Sequence, residues 1–132
     1  MPLSYLREDL VERTVKTPGP DHPITVEPHP ARIVVRAAGK VVADTTRALT
    51  LREGTYPPVQ YIPLEDVEPG ALVPTDKSTY CPYKGDASYY ALVTADGTVP
   101  DAVWTYTEPY PAVGPIAGHV AFYPQHVELT EG

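Results

Sequence analysis

The stretch RIVVRAAGKVVADTT, residues 32–46, decides the fold class. Two apolar runs rich in β-branched residues, 32–36 and 41–46, flank a short turn at residues 38–40. Gly39 in that turn can adopt the positive φ that a tight hairpin requires. The stretch therefore predicts a β-hairpin.

Similar patterns extend outward from this hairpin in both directions. Residues 89–94 and 102–107 flank a second turn that contains Gly97, and short apolar runs occur at 24–26, 48–52, 59–62 and 119–123. Seventeen prolines lie mainly between these runs, where they end strands. The sequence predicts an all-β fold, either a compact sandwich or a partly open barrel.

The two halves of the chain have similar patterns, each with a glycine-turned hairpin and a later aromatic strand that ends in proline. This similarity indicates either an internal duplication with a pseudo-two-fold axis or a chance likeness between two β-meanders. If the halves are related, a ligand is expected in the cleft between them.

The N-terminal segment, residues 1–21, is predicted to be an arm or a short helix, because Leu3, Leu6 and Leu10 fall near helical spacing. Residues 22–132 form a single predicted β domain. Arg7, Glu8 and Asp9 lie where a signal peptide would need an apolar run.

Composition excludes some classes of function. The net charge is −7 and the ten basic residues are scattered, which argues against a nucleic-acid surface. The sequence has no run of the length that crosses a membrane. One cysteine excludes an intrachain disulfide and fits a reducing compartment, so a cytoplasmic protein is expected.

The segment 78–90 contains the residues most capable of chemistry. Cys81 is either a thiol nucleophile, activated by Lys84 or Arg47, or a small buried residue. Lys84, before Gly85, is an anion-binding or Schiff-base lysine, or a solvated turn residue. Residues three apart in a strand point to opposite faces, so Cys81 and Lys84 share a cavity only if a turn separates them.

Other candidate residues lie outside this segment. Glu53 is expected either to do acid–base work or to form an ion pair with Arg47, which is the favoured interpretation. Four aromatic side chains are expected either to line a pocket or simply to pack in the core: Tyr61, Tyr83, Trp104 and Tyr106. The four histidines lack metal-site spacing and no phosphate-binding glycine loop occurs, so neither a metal nor a cofactor is predicted.

The chain resembles the DUF427 domain family, which is also catalogued under a nucleotidyltransferase-like label. The matching pieces are His22-Pro23-Ile24, Gly39–Asp44, Glu53, Tyr61-Ile62-Pro63, Asp66-Val67, Cys81–Gly85, Ala87, Tyr89, Trp104–Tyr106, Pro109 and Ile116–Tyr123. The resemblance implies a small, mostly bacterial, cytosolic all-β domain and no particular activity. The Gly-Ser turn and spaced carboxylates typical of nucleotidyltransferases do not occur in this sequence.

Two functions are therefore predicted. The first is a small-molecule cleft, including one for an anion, around Cys81 and Lys84, with Arg47, Glu53 and the aromatic residues as its wall. Any catalysis there would use the thiol or the lysine. The alternative is a non-catalytic protein-interaction module that uses the loops 54–58 and 108–115. A homodimer formed through an exposed edge strand is compatible with both.

Overall fold

The computed structural model describes residues 13–132 and confirms an all-β fold. The strands are β1 Ile24–Pro28, β2 Ile33–Ala37, β3 Lys40–Thr45, β4 Leu49–Glu53, β5 Val59–Pro63, β6 Leu72–Cys81, β7 Gly85–Thr94, β8 Gly97–Thr105, β9 His119–Phe122 and β10 Glu128–Glu131. Three short 3₁₀-helices cover Leu64–Asp66, Pro111–Ile116 and Pro124–His126. Most of the predicted N-terminal helix lies outside the described residues.

Both predicted hairpins are present. The strands β2 and β3 pair antiparallel around a turn in which Gly39 has a φ of 79°. The strands β7 and β8 pair around a turn in which Gly97 has a φ of 125°. The positive φ at each glycine is the conformation that these turns require.

The strands form two sheets that pack together as a sandwich. The large sheet has the order β1-β4-β5-β9-β8-β7-β6, and the small sheet has the order β10-β2-β3. The two halves of the chain do not form separate sheets. Instead, β10 from the second half completes the small sheet, and β5 from the first half pairs with β9 in the large one.

The central strands of the large sheet are buried on both faces. Successive residues of a strand point to opposite faces, and Tyr61 and Ile62 accordingly join different clusters. Ile62 packs with Ile33 and Val35 of the small sheet. Tyr61 packs on the opposite face, where Val113 from the segment after β8 contributes a fully buried side chain. This second face carries the candidate site.

Within residues 13–132, we find no helix with the length and apolarity needed to span a membrane.

Candidate functional site

A cleft opens where the pairing between β5 and β9 ends. These strands pair only at Ile62–Val120 and Pro63–His119. The cleft has a volume of about 700 Å³ and is lined by Leu51, Glu53, Tyr56, Pro57, Pro58, Val59, Gln60, Tyr61, Lys84, Tyr89, Trp104, Tyr106, Phe122, Tyr123, Pro124 and Leu129. The first half of the chain contributes one wall and the second half the other.

A shielded network of charged and polar groups lies at one end of the cleft. The Lys84 ammonium donates to Oε1 of Glu53 at 2.6 Å, and Nε2 of His22 lies 2.7 Å from Oε2. The side chains of Lys84 and Glu53 are only 11% and 15% exposed. Burial raises the pKa of Glu53, but the hydrogen bonds from Lys84 and His22 outweigh burial, so the pKa lies below its ordinary value.

A tight turn directs Lys84 into the cleft. Cys81 pairs with Gly85 as the last pair of the β6–β7 hairpin, and the Lys84 amide donates to the Cys81 carbonyl at 3.2 Å. Gly85 has a φ of 107°, a conformation that other residues adopt only under strain. The amide of Tyr110 donates to the Lys84 carbonyl at 3.0 Å. The turn is therefore braced by the segment that follows β8.

The N-terminal segment brings His22 to the same place. The amide of Lys16 donates to the carbonyl of Pro82 at 2.9 Å, which ties this segment to the hairpin turn. The ring of His22 stacks on Tyr83 with centroids 4.0 Å apart and planes within 5°. His22 is thus fixed between an aromatic ring and the carboxylate of Glu53.

Aromatic side chains form most of the remaining wall. The indole N–H of Trp104 donates to the hydroxyl of Tyr61 at 3.1 Å. The Trp104 ring also packs against Tyr123, with centroids 4.5 Å apart. Burial is the main cause that raises the pKa of both Tyr61 and Tyr106, so their hydroxyls stay protonated. The wall is therefore mainly aromatic, with tyrosine hydroxyls, the indole N–H and the Gln60 amide as its polar groups.

Five of the predicted site residues line the cleft together, namely Glu53, Tyr61, Lys84, Trp104 and Tyr106. Tyr83 lies next to them, stacked on His22. Cys81 is half-buried and packs against the apolar cluster around Tyr61, and it is not among the residues that line the cleft. A turn does separate Cys81 from Lys84, yet only the lysine faces the cleft.

The predicted ion pair between Arg47 and Glu53 is wrong. Arg47 follows β3, and its guanidinium lies 3.0 Å from Glu65 and 3.3 Å from Asp66. These carboxylates belong to the 3₁₀-helix after β5. Arg47 therefore holds this helix and does not line the cleft.

Sequence reasoning missed three residues of the site. In the sequence, His22 is only one of four histidines that lack metal-site spacing, although it belongs to one of the segments that carry the family resemblance. Tyr89 and Tyr123 belong to strand patterns that also fit ordinary core packing. The pairing of Tyr89 with Trp104 across β7 and β8 is what places Tyr89 in the cleft.

Comparison with protein families agrees with the resemblance seen in the sequence. A family model described as "Domain of unknown function (DUF427)" matches residues 25–131. The chain therefore belongs to the DUF427 family. A search of the curated proteins found no match.

Proposed function

We propose that this DUF427 protein binds a small, uncharged molecule with a planar or apolar body in the cleft between β5 and the β8–β9 strands. The observation that carries the proposal is the cleft itself, an aromatic cavity of about 700 Å³ with a shielded ion pair at one end. Small-molecule sites are typically concave and mostly apolar, with a few polar groups that orient the ligand.

The charges at the polar end favour an uncharged ligand over an anion. Lys84 is the cation that lines the cleft, and its ammonium lies 2.6 Å from the Glu53 carboxylate. The pair has no net charge, and the whole chain carries a net charge of −7. An anion would gain attraction from Lys84 but would also meet repulsion from Glu53.

The arrangement supports binding better than covalent catalysis. The side chain of Cys81 packs against apolar residues, and thiol reactivity depends on a positively charged, accessible surrounding. Lys84 is held by Glu53, whereas Schiff-base chemistry needs a free amine. Catalysis by either residue is therefore not part of the proposal.

The interaction-module alternative has less support. Within the loop 108–115, Val113 is fully buried and the amide of Tyr110 braces the turn at Lys84. The loop 54–58 contributes Tyr56, Pro57 and Pro58 to the cleft. Tyr56 remains 66% exposed. Both loops thus help to build the cleft.

Fluorescence of Trp104 tests the proposal directly, because it is the only tryptophan in the chain and lines the cleft. We would titrate the protein with benzyl alcohol, benzoate and benzylamine, which share a ring and differ in charge. A saturable change in emission is expected, with the tightest binding for benzyl alcohol. Tightest binding of benzoate would instead indicate a site for anions.

Two matched variants show whether a response comes from the cleft. Val59→Phe adds a ring to the cleft wall and should weaken binding. Val73→Phe makes the same change on β6, at a side chain that is 48% exposed and outside the cleft, and should bind like the wild type. If no probe gives a saturable change, the small-molecule proposal fails and the interaction module becomes the leading hypothesis.

A further inference from the structure

The hydroxyl of Tyr106 has no partner within the described residues and opens into the cleft. Tyr106 is only 7% exposed and lines the cleft. Its hydroxyl forms no hydrogen bond with any group in residues 13–132. No fully buried side-chain nitrogen or oxygen of these residues lacks a partner, so this hydroxyl is accessible from the cleft. Tyr106 belongs to the same cluster as Tyr61 and Tyr89, with Cys81 packed against it, and burial is the main cause that raises its pKa.

Two further groups at the same end of the cleft have unused hydrogens. The oxygen of Tyr61 accepts from Trp104, but its own O–H donates to no acceptor in the described part of the chain. Lys84 has three N–H groups, of which one donates to Glu53. Tyr61 is 1% exposed and the Lys84 side chain 11% exposed, so these donors are reached mainly through the cleft that they line.

The strongest acceptor at this end is already engaged. Oε1 of Glu53 accepts from Lys84, and Oε2 is paired with His22 at 2.7 Å. Both tyrosine hydroxyls stay protonated because their pKa values are raised by burial. This end of the cleft therefore presents two tyrosine O–H groups and the Lys84 ammonium as donors, and a ligand that displaces water from them must supply acceptors in return.

We infer that the polar end of the cleft is a binding site for a carbonyl oxygen, which accepts hydrogen bonds from Tyr106 and from a second donor, Tyr61 or Lys84. This inference rests on the proposed function and narrows the ligand to an uncharged carbonyl compound, such as a ketone, ester or amide, on a planar or apolar body. A carbonyl oxygen has two lone pairs and no hydrogen. It therefore complements a group of donors better than an alcohol does.

The test compares three probes of nearly equal shape: acetophenone, 1-phenylethanol and ethylbenzene. Their dissociation constants would be measured from shifts of protein amide resonances in NMR titrations. Acetophenone should bind about three- to tenfold more tightly than ethylbenzene, the gain of about one hydrogen bond to a neutral group. 1-Phenylethanol should bind less tightly than acetophenone, because its own O–H lacks a free acceptor.

Tyr106→Phe removes the hydroxyl and keeps the ring, so it should abolish most of the preference for acetophenone while ethylbenzene binds as before. The matched control is Tyr90→Phe, because Tyr90 packs against the other core cluster and lies outside the cleft. This variant should keep the wild-type preference.

Each outcome separates the two proposals. If none of the three probes binds, the small-molecule function itself fails. If acetophenone and ethylbenzene bind equally well, or if Tyr106→Phe keeps the preference, the carbonyl site is refuted and the cleft remains a general apolar site. If 1-phenylethanol binds most tightly, acceptors dominate the cleft and the inference is also refuted.

Discussion

Replacing Lys84 with methionine should lower the free energy of unfolding by about 3 kcal/mol at neutral pH. The substitution removes the ammonium that lies 2.6 Å from Glu53 and leaves a carboxylate that is only 15% exposed. Methionine keeps most of the lysine stem, so lost packing contributes little. Since His22 still pairs with the other carboxylate oxygen, the cost should lie at the lower end of the range for broken buried pairs.

The effect of Lys84→Met should also depend on pH. In the wild type, burial raises the pKa of Glu53, but the hydrogen bonds from Lys84 and His22 lower it by more than burial raises it. The pKa therefore lies below its ordinary value. A carboxylate with a lowered pKa contributes stability above its unfolded pKa and loses that contribution as the pH falls through its folded pKa. In the variant, burial is opposed less, so Glu53 takes up a proton more easily. The difference in stability between wild type and variant should therefore shrink in acid.

The assay is urea unfolding at several pH values, followed by the fluorescence of Trp104. The matched control is Arg32→Met, which breaks the 2.6 Å ion pair between Arg32 and Asp44. The side chains of these two residues are 50% and 44% exposed. An exposed pair contributes little to stability, because water screens the charges and both side chains lose freedom when they pair. The reasoning is refuted if Lys84→Met costs no more than Arg32→Met, or if its cost grows as the pH falls.

Three further predictions concern the wall of the cleft and the turn that bears Lys84. Gly85→Ala should lower the free energy of unfolding in urea by about 1–3 kcal/mol, because alanine is strained at this positive φ. The control Gly114→Ala should cost much less, because an added Cβ there meets nothing within 4 Å. Equal costs for the two variants would contradict this prediction. Tyr61→Phe should lower the free energy of unfolding by about 1–3 kcal/mol in thermal or urea unfolding, because it leaves the indole N–H of Trp104 without its acceptor. An unchanged stability would mean that this hydrogen bond contributes nothing. Alkylation of Cys81 should be slow in the native protein, because the thiol packs against apolar residues. The alkylation rate should change less than about twofold in Lys84→Met. A large drop in this rate would show that the lysine activates the thiol.

Eight of the ten described strands and the hairpins at Gly39 and Gly97 could be predicted from sequence because their signals are local. The edge strands β6 and β10 were not predicted, because most of their residues are exposed and show no alternating apolar pattern. The turns at Gly39 and Gly97 need a residue that tolerates positive φ, and alternating residues beside them show where strands begin. Aromatic residues and Lys84 were also expected in one cleft from their chemical character. These predictions required no knowledge of which strands pair with each other.

The rest depends on pairing between distant segments, which local patterns do not encode. Glu53 could pair equally well with Arg47 or Lys84 by charge alone, and the fold decides by placing Arg47 beside Asp66. His22 reaches Glu53 because β1 pairs with β4, and the amide of Gly54 donates to Pro23 at 2.9 Å. That contact follows from strand order, for which the sequence carries no short-range signal.

The pairing of Ile62 with Val120 has a consequence for how the protein folds. The β6–β7–β8 meander joins neighbours in sequence and can form early, whereas the contact between β5 and β9 must close a loop across much of the chain. The cleft lies at this late contact, so its walls come together only when the two halves of the chain meet. During refolding, recovery of ligand binding should therefore lag behind formation of the hairpins and mark the final, rate-limiting closure of the sheet.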